Sequence, residues 1–295
     1  MEPLPLIPMH PMFGVEVHDV DLRDVTPQHA YPAIREAFET HSLLLFRGQQ
    51  LDDAAHLRLG ALFGPIEDRS MGKNGPLPRM DHVSNLRVDN TVALADDLLT
   101  LNLMGNQLWH TDSTFLPVPA LANILAARVL SSSGGETEFV STRAAWRDLP
   151  VHLKARLRNA VFTHALSHSR SKVSPDLAKM ERITRWKPQS WRAVWPNPRN
   201  GLEALYIASH AYQVDDLPLD ASQALVDEVT AFATRPDAVY SHGWQPGDVL
   251  VWDERATLHR GKPWPYHEER TLASICISAR DVDGLEQVRP EALNN

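Results

Sequence analysis

The sequence predicts a mainly β fold: a double-sheet jelly roll with helices packed outside it. Three observations predict it. Apolar runs of strand length outnumber helical patterns after residue 83, the helical patterns cluster earlier, and 22 prolines and 14 glycines break the chain into short elements. With no internal repeat and no low-complexity linker, residues 1–295 are expected to form one domain.

In chain order, Val15, Val17 and Val20 alternate with polar residues across positions 13–22 and predict a strand. Thr26-Pro27 suits a helix start, a capping hydroxyl followed by proline, with the helix running to about His41 and Pro32 able to delay it by a turn. Ser42 to Gly48 reads as a buried strand ending in a turn. Leu51-Asp52-Asp53 caps a second helix that ends at Phe63-Gly64-Pro65, with Gly64 placed for a left-handed cap. Residues 68–82, with two glycines and two prolines among charges, read as a loop open to motion.

Val83–Leu86 and Leu99–Leu103 read as strands leading into the stretch around residue 110, and Ala122–Leu130 as another. Ser132-Ser133-Gly134-Gly135 is a turn before a strand through Thr137 and Val140. Ser141 or Thr142 caps a helix closed by Pro150, and a short helix follows over 152–160. Residues 163–200, with Trp186, Trp191 and Trp195 among prolines, read as a long ordered insertion whose tryptophans suit packing more than a pocket. Beyond it come a strand at Leu205–Ala208, a helix capped by Asp220, a strand pair over 239–252 and a last core strand from Arg270 to Ser278.

Composition narrows the function. A net charge of −8 disfavours general nucleic-acid or acidic-membrane binding, though a single arginine can still dominate a pocket. One cysteine, Cys276, excludes an internal disulfide and a thiolate metal cluster. No run reaches the ~18 apolar residues of a membrane span. Met1-Glu2-Pro3-Leu4-Pro5 lacks the basic region and apolar run of a secretory signal, so a cytoplasmic location is expected.

Chemistry concentrates in Asn106 to Phe115. His110 and Asp112 are two positions apart, and in an extended strand residues i and i+2 face the same way, so an imidazole and a carboxylate would converge. That pair suits Fe(II), Mn(II) or Zn(II), and one further histidine completes a facial triad with open positions; His259 follows the apolar run 249–252. With 14 histidines in the chain, a His-x-Asp alone also fits a polar strand surface. Arg270 lies eleven residues after His259, across a proline-containing turn, and can return on the next strand. A buried arginine there calls for an anion, and its guanidinium can grip a carboxylate through two hydrogen bonds, with Thr137 adding a hydroxyl.

The joint pattern resembles the Fe(II)/2-oxoglutarate-dependent dioxygenases of the taurine dioxygenase and 2,4-dichlorophenoxyacetate dioxygenase group. The resemblance covers most of the chain: Asp21-Leu22-Arg23, Leu44 to Gln49, Phe63-Gly64-Pro65, Trp109-His110-Thr111-Asp112, Gly134 to Phe139, and Trp252-Asp253 through His259-Arg260 to Arg270. His164 to Arg170 and Ser209-His210 look closer to the aryloxyalkanoate branch. The resemblance implies a double-stranded β-helix, Fe(II) held by His110, Asp112 and His259, O2 as oxidant, and 2-oxoglutarate chelating the iron with its distal carboxylate on Arg270 and Thr137. Asn106 matches a position beside the iron and cosubstrate, and Trp109 and Trp252 are expected to form wall rather than do chemistry. The implied reaction hydroxylates an activated C–H of a small aromatic acid and releases succinate and CO2; next to an ether oxygen, the hemiacetal product collapses to a phenol and an oxo-acid. Alternatives are the same machinery on an alkyl sulfonate such as taurine or on a natural-product intermediate, and, from another class, a non-catalytic metal-binding jelly roll. Relatives of this kind often self-associate, which leaves a homo-oligomer open.

One departure matters. Relatives that bind a sulfonate or an aryloxyacetate commonly carry a second arginine four residues after the cosubstrate arginine, and Ser274 stands there. A neutral serine cannot supply that charged grip. Arg280, Arg170, Lys172, His210 and Lys73 are the candidates to replace it.

Overall fold

The structure, a computed structural model, describes residues 4–68, 80–215 and 217–290. Its strands are β1 (Leu6–Pro8), β2 (Val15–Val17), β3 (Leu43–Phe46), β4 (Asp81–Ser84), β5 (Ala120–Val129), β6 (Thr137–Ser141), β7 (Val161–His164), β8 (Gln189–Arg192), β9 (Val194–Pro196), β10 (Glu203–Leu205), β11 (Ala211–Val214), β12 (Tyr240–His242), β13 (Val249–Asp253), β14 (Thr257–Gly261) and β15 (Thr271–Ser278). Seven of them form one sheet in the order β1-β2-β3-β13-β5-β15-β4, and β12-β6-β14 form a second, smaller sheet.

Period-two alternation sorts the large sheet's side chains into two cores. Leu44, Phe46, Ile124, Ala126, Val249 and Val251 face one way and join Ile34, Phe38, Leu59 and Phe63, which come from helices α1 (Tyr31–His41) and α2 (Asp53–Phe63). Leu43, Leu45, Leu125, Leu250 and Trp252 face the other way and meet Phe139 of the small sheet. Beyond the small sheet, Val140 and Leu258 pack with a third apolar cluster, to which further helices contribute Trp146, Leu153 and Val229. The layers are therefore helix, large sheet, small sheet and an outer helical layer. The site lies between the two sheets.

The cap of α2 is as expected: the Asp52 side chain accepts from Ala55 N–H. Ser141 caps the helix after β6 in the same way. Several expectations need correcting. Leu99–Leu103 is no strand; Leu98–Met104 is helical, because the Asp97 carboxylate accepts from Leu99 N–H and starts a turn that the apolar alternation had hidden. The strand over 13–22 shrinks to β2 and a 3-10 turn at Leu22–Asp24, and α1 begins at Tyr31 rather than at Thr26-Pro27. Gly64 ends α2 at φ 159°, ψ −164°, not in the left-handed helical conformation. The strand at Leu205–Ala208 is β10, three residues earlier in its end, and Pro218 rather than Asp220 stands at the N-cap of Leu219–Ala233. Helices are not confined to the early chain: six lie between Thr142 and Ala233. Most of the expected loop 68–82 lies outside the described residues, and its end is already β4.

Candidate metal and carboxylate site

His110 and His259 are joined through the backbone: His110 N–H donates to the His259 carbonyl (3.0 Å) and His259 N–H to that of His110 (2.8 Å). Directly opposed residues of an antiparallel pair point to the same face, and the two imidazole centroids stand 4.2 Å apart. Asp112 does not reach the site along an extended strand, as the sequence suggested. The chain turns after Thr111, and the Asp112 carboxylate comes round to 3.7 Å from His110 Nε2. One donor atom from each of His110, Asp112 and His259 lies within 4.8 Å of the others, a set that could hold a metal ion.

The surroundings fit that use. His110 Nδ1 lies 2.7 Å from the Leu108 carbonyl, which accepts its proton and leaves the Nε2 lone pair for a cation. Burial holds both imidazoles below their ordinary range, His259 at about 3, so they are neutral at pH 7 as metal ligands must be. Asp112 Oδ2 accepts from Asn123 Nδ2 (2.7 Å) and from the Cys276 thiol (3.5 Å). Asp112 N–H donates to Glu254 Oε2 (2.9 Å), which also accepts from the Thr111 hydroxyl (2.6 Å). Burial, with the charge of Asp112, pushes the Glu254 carboxyl well up. Two nitrogens, one carboxylate oxygen and no thiolate among the three donors suit non-haem Fe(II).

The triad lines a cavity of about 330 Å³ that also includes Asn106, Thr137, Trp252 and Arg270, so all seven sequence-selected residues meet in one space. Cross-strand register explains the walls. Trp252, Asn123 and Cys276 stand opposite one another across β13, β5 and β15, and Leu125 opposite Ser274, all on the site face. Trp252 is wall, its ring 4.8 Å from that of His259. Trp109 lies apart from the cavity and carries the Arg260 guanidinium on its ring at 4.5 Å.

Arg270 is buried, its backbone N–H given to Asn85 Oδ1 (2.9 Å), one guanidinium nitrogen to the Gly135 carbonyl (2.5 Å), and its face against Trp264 (4.9 Å). Burial lowers it to about 10 against the pull of Glu136, which leaves it charged at neutral pH. The Thr137 hydroxyl oxygen accepts from Trp244 Nε1 (3.0 Å), so its own proton is available to a carboxylate.

Of the candidates for a substrate anion, Arg170 and His210 line the cavity; Arg280 pairs with Asp283 (3.2 Å) away from it, Lys172 is not in its wall, and Lys73 lies outside the described residues. Trp191 and Trp195 are buried packing residues whose indoles donate to the Thr114 and Asp283 carbonyls. Sequence reasoning missed Asn123 and Glu254. The only signal for Asn123 was a lone polar residue inside an apolar strand.

Two imidazoles and a carboxylate meeting between β-sheets, with a buried arginine in the same cavity, have the parts of a non-haem metal oxygenase. The profile of the family "Taurine catabolism dioxygenase TauD, TfdA family" matches residues 5–276, and the chain belongs to that family. It is 33% identical over 271 residues to the alpha-ketoglutarate-dependent 2,4-dichlorophenoxyacetate dioxygenase of Cupriavidus pinatubonensis, a match covering 90% of this chain and 94% of that one. It is 30% identical to the (S)-phenoxypropionate/alpha-ketoglutarate-dioxygenase of Sphingobium herbicidovorans, over 90% of this chain and 92% of the relative. Among solved structures it is similar to AAD-2 in complex with Mn(II) and N-oxalylglycine, with a TM-score of 0.86, 29% identity, and coverage of 94% of this chain and 98% of that one.

Proposed function

We propose that this dioxygenase uses Fe(II), 2-oxoglutarate and O2 to hydroxylate the carbon next to the ether oxygen of a small aryloxyalkanoic acid. The observation that carries the proposal is that the His110, Asp112 and His259 donors and the buried Arg270 line one cavity, in a chain whose similar relatives include two dioxygenases named for phenoxy acids. Bound iron would supply dioxygen activation coupled to decarboxylation of 2-oxoglutarate, one oxygen atom going to succinate and the other to substrate.

The protein's own groups hold and orient. His110 and His259 offer neutral nitrogens and Asp112 one carboxylate oxygen, the other being held by Asn123. Arg270 and the Thr137 hydroxyl take the distal carboxylate of 2-oxoglutarate, with Asn106 and Trp252 beside it. The hydroxylated carbon is a hemiacetal, which breaks its bond to the ether oxygen to give a phenol and an oxo-acid; from phenoxyacetate these are phenol and glyoxylate.

The same reading takes residues 1–295 as one domain, the two facing sheets as a double-stranded β-helix, the location as cytoplasmic, and the protein as able to form a homo-oligomer. In support of the location, no described helix is long and apolar enough to cross a membrane. A panel of phenoxyacetates tests the function: succinate and phenol should rise together, one for one. Phenoxyacetates that neither stimulate succinate formation nor release a phenol would turn the reading toward an alkyl sulfonate or another metabolite.

A further inference from the structure

On the aryloxyalkanoate reading, two carboxylic acids must share one cavity, the keto acid and the substrate. Each needs a cation, or the pair repels at close range. Two guanidiniums line the cavity among the described residues, Arg170 and Arg270, against two carboxylates, Asp81 and Asp112. Arg270 is taken by the keto acid. Ser274 is committed elsewhere: its hydroxyl donates to Asn123 Oδ1 (2.9 Å), and Asn123 Nδ2 holds Asp112 (2.7 Å). Position 274 thus steadies the carboxylate of the triad and offers no charge to a substrate.

Arg170 comes from a different wall, at the end of the short helix Leu166–Ser171. Its guanidinium is held in place. Nε donates to Asn102 Oδ1 (3.2 Å) and Nη1 to Ser169 Oγ (3.2 Å), and it lies so close over Gly105 that a Cβ there would come within 2.7 Å of it. Leu103, Phe115 and His210 line the cavity with it, and the rings of Phe115 and His210 meet at 5.1 Å. A fixed guanidinium beside an apolar and aromatic wall fits an acid whose other half is an aryl ring.

We propose that Arg170 recognises the carboxylate of the primary substrate from the Leu166–Ser171 helix. The assignment rests on the aryloxyalkanoate reading, and it makes Arg170 a determinant of substrate class.

The test is direct binding to protein loaded with Mn(II) and 2-oxoglutarate, comparing phenoxyacetate with its neutral isostere phenoxyacetamide. Wild-type protein should prefer the acid by about tenfold or more, the scale of one charged hydrogen-bonded pair. Arg170→Gln should erase that preference while 2-oxoglutarate affinity stays within about twofold, the margin expected when a contact to a different ligand is lost. Arg170→Lys should keep part of it. A Gln variant that still favours the acid overturns the assignment of Arg170, and leaves the proposed function intact if the wild type releases phenol. Should the Gln variant fail to fold, Arg170→Met, which keeps much of the side chain's length without its charge, decides in the same way: a preference for the acid retained there overturns it. A wild type that neither binds phenoxyacetate nor releases phenol removes the substrate reading and the Arg170 assignment together.

Discussion

Neutral imidazoles in a buried place are costly unless something uses their lone pairs, and His110 and His259 are both held neutral by burial. On the proposed assignment, His110→Ala removes one of three donors and should abolish stoichiometric Fe(II) or Mn(II) binding in equilibrium dialysis as well as turnover. Full metal binding by that variant would refute the role. Arg270 gives a separable outcome. Its truncation leaves a carboxylate without its charged partner, so Arg270→Ala should raise the half-saturating 2-oxoglutarate concentration by roughly 30-fold or more while metal binding persists. An unchanged cosubstrate requirement would reassign Arg270 to structure, as a strut between Gly135 and Trp264. The residues that could be selected from sequence are those whose chemistry is unusual in itself: a His-x-Asp, a late histidine after an apolar run, an arginine before a core strand. Asn123 and Glu254 were not legible, because their parts depend on who stands opposite them, Asn123 beside Trp252 and Cys276, and Glu254 under Asp112.

At the scale of elements, apolar runs of strand length located β3, β5, β13 and β15, because each buries one row against the helices and another toward the site. Alternation failed at Leu99–Leu103, where Leu99 and Leu103 also stand i and i+4 on a helix face and the Asp97 cap decides. It failed again at Asp112, where the same-face argument for i and i+2 gave the right convergence through the wrong geometry, a turn in place of a strand. The turn before β6 carries a testable consequence. Gly135 sits at φ +73°, and a Cβ built on it would stand 2.6 Å from Arg270 Nε. Gly135→Ala therefore carries both backbone strain, about 1 kcal/mol or more, and displacement of the guanidinium. It should raise the 2-oxoglutarate requirement several-fold while lowering the melting temperature by a few degrees, about what 1 kcal/mol gives a chain of this size. Kinetics unchanged from wild type would mean that Arg270 has slack the packing does not suggest.

For the whole molecule, the layered arrangement follows from period and turn chemistry, but the ionic seam that ties the first helix to the rest of the chain does not. Glu39 on α1 is buried, where a glutamate is ordinarily exposed. It accepts from Arg35 (2.8 Å), from Arg255 (2.7 Å) and from Asn197 (2.6 Å), and Arg35 goes on to Asp283 (2.9 Å). Burial alone would raise the Glu39 carboxyl, yet Arg255 and Arg35 hold it down at about 2, from 4.5. A depressed carboxyl contributes stability that is present above its unfolded value and is lost as pH falls through the folded one, here between about 4.5 and 2. His56 and His164 act at higher pH with the same sign, since burial lowers them from 6.5 to about 4 and about 3 and the unfolded chain takes up their protons first. Unfolding free energy measured against pH should therefore decline in two stages, one beginning near 6.5 and a steeper one below 4.5. Glu39→Ala should cost about 1–3 kcal/mol at neutral pH, because Arg255 and Arg35 lose the carboxylate they share while Asp253 and Asp283 still pair with them, and should flatten the lower stage while sparing the upper. A Glu39→Ala protein as stable as wild type at pH 7, with the same acid limb, would show that the seam is solvated enough to do without its central carboxylate.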